Sequence, residues 1–130
     1  MSRITAPASS ESFQIQRHDD IFVVTPSPEI ESMSDVMIEN AAQIILAPIK
    51  NSDRAPSGII FDLTNINYFG SMFITFLLRC HLQLKKVGDG EVVLAGVSDR
   101  VRELLRMTQL DTLWALYDSK AEAMEALGAD

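Results

Sequence analysis

Gly58-Ile59-Ile60-Phe61-Asp62-Leu63-Thr64-Asn65-Ile66-Asn67-Tyr68-Phe69-Gly70-Ser71-Met72-Phe73 joins two patterns in sixteen residues. The opening Gly58–Phe61 is an apolar run with β-branched side chains, the composition of a strand buried on both faces. After Ser71 the pattern changes. Phe73, Phe76, Leu77, Cys80 and Leu84 form one helical stripe and Ile74, Leu78 and Leu82 a second beside it, which predicts a helix from Ser71 to about Lys86. A strand that feeds a helix in this way is half of a crossover unit. Ser71 falls where the helix begins, and two readings of it stand side by side. As an N-cap its hydroxyl would contribute about 0.5–2 kcal/mol. As a phosphorylation site it would gain roughly 1.5–2 negative charges at a helix terminus that favours anions.

The same alternation continues in both directions. Phe13-Gln14-Ile15-Gln16-Arg17 alternates as a half-exposed strand does, and Ile21–Val24 follows across the turn His18-Asp19-Asp20, so an antiparallel hairpin is expected. Ser32 with Asp35 resembles a capping box, with Ser34 as a competing cap. Met37, Ala41, Ile44, Ile45 and Pro48 give the apparent core stripe of the next helix, with Pro48 ending it after about Ala47. Lys50–Ser57 is polar and loop-like. Beyond the central helix, Gly88 is a stop, Val92–Ala95 a buried strand, and Ser98 the cap of a helix bearing Val101, Leu104, Leu105 and Thr108. Leu113–Tyr117 is a short extended edge, and Ser119 with Glu122 opens a last helix ended by Gly128. The expectation is one α/β domain over residues 13–130, with a mixed, mostly parallel sheet opened by an antiparallel hairpin, and four helices. Residues 1–12 read as a flexible tail. Partners of open α/β sheets meet the edge beyond the strand C-termini, where Ser71, Ser98 and Ser119 should lie.

Composition narrows the function. With 130 residues, 47% hydrophobic and 22% charged, the chain suits one folded domain. A net charge of −7 argues against a nucleic-acid groove or an anionic membrane surface. The single cysteine, Cys80, permits no internal disulfide and suits a reducing compartment. Without a signal peptide or a bilayer-length apolar run, a cytoplasmic location and no membrane insertion are expected. His18 and His81 have no second ligand at metal-binding spacing, Gly88-Asp89-Gly90 is a turn and not a phosphate cradle, and Asp19-Asp20 is a solvated turn. Cys80 sits on a core stripe, as an inert thiol does. No catalytic residue, cofactor or metal is therefore expected, and the chain is read as not an enzyme. Arg100, Arg102 and Arg106 on one helix either pair locally with Asp99 and Glu103 or form a docking patch for an acidic partner. The central helix is more apolar than one buried face requires, so it is either covered on two sides or offers a partner surface near Met72 and Phe73.

The ordered set Ile60-Phe61-Asp62-Leu63, Tyr68-Phe69-Gly70-Ser71, Leu77-Leu78, Val93–Ser98, Val101, Leu104-Leu105, Leu110-Asp111 and Tyr117-Asp118-Ser119 resembles the STAS domain family, which includes the anti-sigma factor antagonists. The resemblance runs from about Phe13 to Leu127. It implies a partner-switching regulator. In that family a serine kinase, often the anti-sigma factor itself, phosphorylates the serine of an Asp-Ser-x-Gly loop, and a phosphatase resets it. Carried to this chain, Ser71 becomes the phosphoacceptor, and Tyr68, Phe69, Gly70, Ser71, Met72, Phe73, Thr75 and Ser98 the partner-binding surface. A second copy of the chain is a further candidate partner. The pattern departs at four places: Gly70 stands for the Asp, Met72 for the small residue, Phe73 for the Gly of the loop, and Gln109 for the Gly often found after the third helix's Thr. The alternative implied by the same resemblance is an interaction module in a transporter or signalling assembly, without phosphorylation.

Overall fold

The computed structural model describes residues 13–32, 34–50 and 56–128. The expected tail, the Ser32 side chain and most of the Lys50–Ser57 loop lie outside these. Nine elements follow in order: β1 (Phe13–His18), β2 (Ile21–Pro26), α1 (Asp35–Lys50), β3 (Gly58–Asp62), α2 (Ser71–Val87), β4 (Glu91–Ala95), α3 (Asp99–Met107), β5 (Ala115–Tyr117) and α4 (Lys120–Ala126). Short 3-10 turns at Pro28–Ser32 and Leu110–Thr112 complete the chain. The sheet order is β1-β2-β3-β4-β5, with β1 antiparallel to β2 and the remaining pairs parallel. The hairpin turns through Asp19 in the left-handed region (φ 56°), a conformation that aspartate tolerates better than most residues.

Both faces of the sheet are covered, which is why its central strands read as unbroken apolar runs. On one face Phe13, Ile15, Phe22, Val24, Ile59 and Phe61 pack with residues of α1, α2 and α3 and with Trp114. On the other, Ile21, Val23, Ile60, Val93 and Ala95 meet Ala123, Met124 and Leu127 at the end of the chain. Alternate residues of each strand thus serve different layers, as the two-residue period of a strand requires.

Two expectations for α1 are corrected. Pro48 does not end it, since the helix runs to Lys50. One missing N–H within the last turn removes a single bond and leaves the neighbouring bonds to carry the helix. Two members of the predicted stripe are also not buried, and the side chains of Ala41, Ile45 and Pro48 lie outside the described ones. Ile38, Ala42 and Leu46 face the core, while Met37 and Ile44 are 53% and 42% exposed. The misreading arose because α1 carries two apolar stripes at helical spacing, and periodicity alone does not say which one meets the sheet. Ser34 is the cap, accepting from the Met37 N–H at 3.2 Å.

The helix caps at Ser98 and Ser119 form as expected, accepting from Val101 N at 3.1 Å and Glu122 N at 3.1 Å. Glu122 Oε1 in turn accepts from the Asp118 N–H at 3.3 Å, one residue earlier than a standard capping box. On α2 the first stripe is buried throughout. The second is half covered: Ile74 and Leu78 pack against the core, whereas Leu82 is 63% exposed.

Candidate functional site

The loop between β3 and α2 leaves the sheet at the C-terminal edge of the parallel strands, and local chemistry holds it at almost every residue. Asp62 Oδ1 accepts from Thr64 Oγ1 at 2.6 Å and from Thr64 N at 3.3 Å. That is the side-chain turn that makes aspartate common at such exits. Leu63 N donates to the Ala95 carbonyl at 2.8 Å, extending the β3–β4 pairing by one residue. Beside it Gly96 adopts φ +69°, and a Cβ there would lie 2.4 Å from Thr64 Oγ1. Glycine is needed both for the left-handed backbone and for this close approach. Leu63, Ile66 and Phe69 are buried, so every third residue of the loop plugs into the core.

Residues between the plugs are tied from outside. Asn67 N donates to Glu31 Oε2 at 3.0 Å, and the Asn67 carbonyl accepts from Ser98 Oγ at 2.7 Å. The Ser98 hydroxyl therefore serves two loops, capping α3 and holding the β3–α2 loop against it. Arg100 lies 4.7 Å over the Tyr68 ring, a cation–π contact of about 0.5–1 kcal/mol at an exposed position. Arg106 pairs with Glu103, as the local alternative for this arginine cluster required. Arg100 instead joins the site. An open groove of about 440 Å³ runs beside it, lined by Tyr68, Asp99, Arg100, Glu103, Leu104 and Met107.

The segment that remains on the surface is short. Gly70 is the N-cap of α2, with extended backbone (φ −97°, ψ −171°) and no side-chain cap bond. The expectation that Ser71 caps the helix is corrected: Ser71 is the first helical residue, exposed, and its hydroxyl is not spent on the helix. Phe69, just before it, is buried, and Gly70 is the last non-helical residue. Thr75, one turn on, is exposed and donates to the Ser71 carbonyl at 3.0 Å. No acidic residue lies in the first turn of α2, so no carboxylate there answers the positive end of its dipole.

Two members of the expected partner surface are not on the surface. Phe69 and Phe73 are each 1% exposed. Their ring centroids lie 4.7 Å apart, and Phe73 also meets Phe13, Phe61 and Phe76 at 6.2, 6.4 and 5.6 Å. Burying these rings yields far more than exposing them to a partner, since each aromatic side chain hides a large apolar area. Ser98 is half-buried, with its hydroxyl engaged internally. Of the expected residues, Gly70, Ser71 and Thr75 are exposed, and Tyr68 and Met72 are half-buried.

Burial raises the Cys80 thiol far above the ordinary range, which keeps it protonated and inert. Burial, and then the nearby Lys85, shift His81 below its ordinary range. Among the described residues, no three of His, Cys, Asp and Glu are placed to hold a metal ion, and no helix is long and apolar enough to cross a membrane.

A family model for the STAS domain matches residues 12–123. The chain belongs to the STAS domain family. This STAS domain is similar to an anti-sigma-factor antagonist (STAS) domain protein from Planctomyces limnophilus, at 25% identity and TM-score 0.78, covering 92% of this chain and 100% of that one. It shares its fold with the anti-sigma factor antagonist SpoIIAA in its unphosphorylated form, at 18% identity and TM-score 0.73, covering 88% of this chain and 95% of that one. The murine anion transporter Slc26a9 is a third neighbour, at 17% identity and TM-score 0.66, where the match covers 88% of this chain and only 19% of the transporter. No curated protein sequence matches the chain significantly.

Sequence reasoning missed Glu31, Thr64 and Gly96 as supports of the site. Glu31 lies 36 residues from the Asn67 N–H it holds, and no local pattern could announce that pairing. The Asp62–Thr64 turn was detectable, since an aspartate two residues before a threonine at a strand exit favours it.

Proposed function

We propose that this STAS domain is a partner-switching regulator that binds an anti-sigma factor/serine kinase and is controlled by phosphorylation of Ser71, with a phosphatase to reset it. The observation that carries the proposal is the state of Ser71. Its hydroxyl is exposed in the first turn of α2, is not used to cap it, and stands on a loop held by Asp62, Glu31 and Ser98. Such a serine can be modified without disturbing the fold. A dianion there lies at the positive end of the helix dipole and changes the charge of the surface the partner meets. Gly70, Ser71, Thr75, Met72 and Tyr68 supply that surface, and Arg100 extends it across the Tyr68 ring. In this role the domain performs no catalysis; the kinase transfers the phosphoryl group.

Intact-mass spectrometry after incubation with ATP and the serine kinases of the same genome tests the proposal. One phosphate is expected on the wild type and none on Ser71→Ala. If no kinase adds phosphate, or if the phosphate persists in Ser71→Ala, the assignment fails.

One observation favours a second reading, a STAS interaction module of a transporter or signalling assembly that is not phosphorylated. Gly70 offers no carboxylate beside the serine for a kinase to read. Copurification with a transporter ATPase, together with partner binding indifferent to Ser71→Glu, would select it.

A further inference from the structure

The far end of α2 carries a different kind of surface. Leu82 is 63% exposed, one turn before Lys85 and Lys86 and on the same side of the helix. These three, with Arg79, Gln83 and the buried Leu46 of α1, line an open groove of about 450 Å³ between the two helices. Among the described residues, none that lines it is acidic. The α2 segment as a whole contains no aspartate or glutamate, in a chain whose net charge is −7. Arg79 is held by Glu39 at 2.7 Å. Among the described residues neither Lys85 nor Lys86 has an ion-pair partner.

Lysines in a last helical turn are favoured by the helix dipole alone, by about 0.3–1 kcal/mol each. That accounts for the two charges, but not for a leucine standing out between them and Arg79. We infer that the α1–α2 groove is a docking site for an acidic amphipathic segment of a protein partner. A leucine-type side chain of that segment would rest on Leu46 and Leu82, and its carboxylates would meet Lys85 and Lys86. Charge complementarity selects this occupant: the chain is acidic overall and repels an acidic partner, except where this cationic rim surrounds apolar ground. Fourteen residues of helix place Lys85 about 20 Å from Ser71, so the groove is independent of the proposed phosphorylation site.

The test titrates ¹⁵N-labelled protein with a synthetic helical peptide carrying leucines at i and i+4 among Glu and Asp, and with a matched peptide in which Lys replaces every acidic residue. Saturable shifts at Leu46, Arg79, Leu82, Lys85 and Lys86 are expected with the acidic peptide alone, weakening as salt rises. The double variant Lys85→Glu/Lys86→Glu should weaken binding about tenfold or more, and the milder Lys85→Gln/Lys86→Gln by less. Leu82→Ala, at an exposed position, should weaken binding without affecting folding, and Ser71→Ala should leave it unchanged. The inference is overturned if the two peptides behave alike, if neither binds, or if the shifts map to Ser71. It is also overturned if phosphatidylserine vesicles engage these lysines where the peptide does not, or if the lysines mediate self-association measured by sedimentation.

Discussion

Replacing Phe73 by the glycine of the pattern it departs from should come close to unfolding this domain. Phe73 is 1% exposed and touches four other phenylalanines. Phe73→Ala removes that ring from a packed cluster, at a cost of about 3–5 kcal/mol. Glycine adds about 1 kcal/mol because it lies inside a helix. Natural domains have only about 5–15 kcal/mol in total. In urea, with a denaturant slope near 2 kcal/mol/M, the combined loss of about 4–6 kcal/mol moves the midpoint down by about 2–3 M. The transition can be followed by the fluorescence of the single, buried Trp114 and by far-UV circular dichroism. Phe73→Leu, which keeps most of the volume, should cost about 1 kcal/mol. A midpoint shift below about 0.5 M for Phe73→Gly, with the slope unchanged, would refute the placement of this side chain in the core and the register of α2 with it.

Other perturbations probe the site and its supports. Gly70→Asp meets open space, with nothing within 4 Å of the added Cβ; thermal melts should show stability kept or raised by a few tenths of a kcal/mol as the carboxylate caps α2, and phosphate incorporation at Ser71 should rise with a kinase that reads an acidic neighbour. Gly96→Ala should cost about 2 kcal/mol or more by urea titration, since its φ of +69° is left-handed and Thr64 occupies the Cβ position. Cys80 should resist alkylation by iodoacetamide in the native protein and react at once on unfolding, because burial raises its pKa. Hydrogen bonds from Arg79 and Gln43 hold the Glu39 carboxyl below the ordinary range. Its contribution is therefore complete above the unfolded pKa and lost as the pH falls through the folded one. Stability measured against Glu39→Gln should show a difference that is largest near pH 7 and vanishes in acid.

The fold was legible where periodicity and punctuation agreed. Ile59-Ile60-Phe61 could only be a buried strand between helices, and Ser98 and Ser119 announced their helices by capping chemistry alone. Periodicity failed on α1, because Met37 and Ile44 satisfy the helical spacing as well as Ile38, Ala42 and Leu46 do. Which stripe is buried depends on the rotation of the helix against the sheet, a tertiary quantity absent from local pattern. The β3–α2 loop lies at the sheet edge where the sequence put it, but its side chains were misread in detail. Ser71 is a good capping residue placed one step too late to cap, since the helix takes Gly70 as its N-cap. Phe69 and Phe73 looked like partner contacts because they flank the serine, yet the aromatic cluster that holds them gathers residues from β1, β3 and α2. Glu31 and Gly96 act across the tertiary fold, and their roles emerge only when three loops converge.

The loop held by Glu31, Ser98 and Asp62 also determines what kind of switch can operate there. A segment fixed in advance asks a partner to freeze little that is not already frozen, sparing about 0.5–1.5 kcal/mol for each side chain that would otherwise have to be immobilised on association. Complexes made on such a surface form by near-rigid collision, and their lifetimes are tuned by the contacts made. Under the proposed function, a phosphate added at Ser71 would act as a local veto on an interface of constant shape. Such a message would be written in electrostatic potential, on a backbone already held in place.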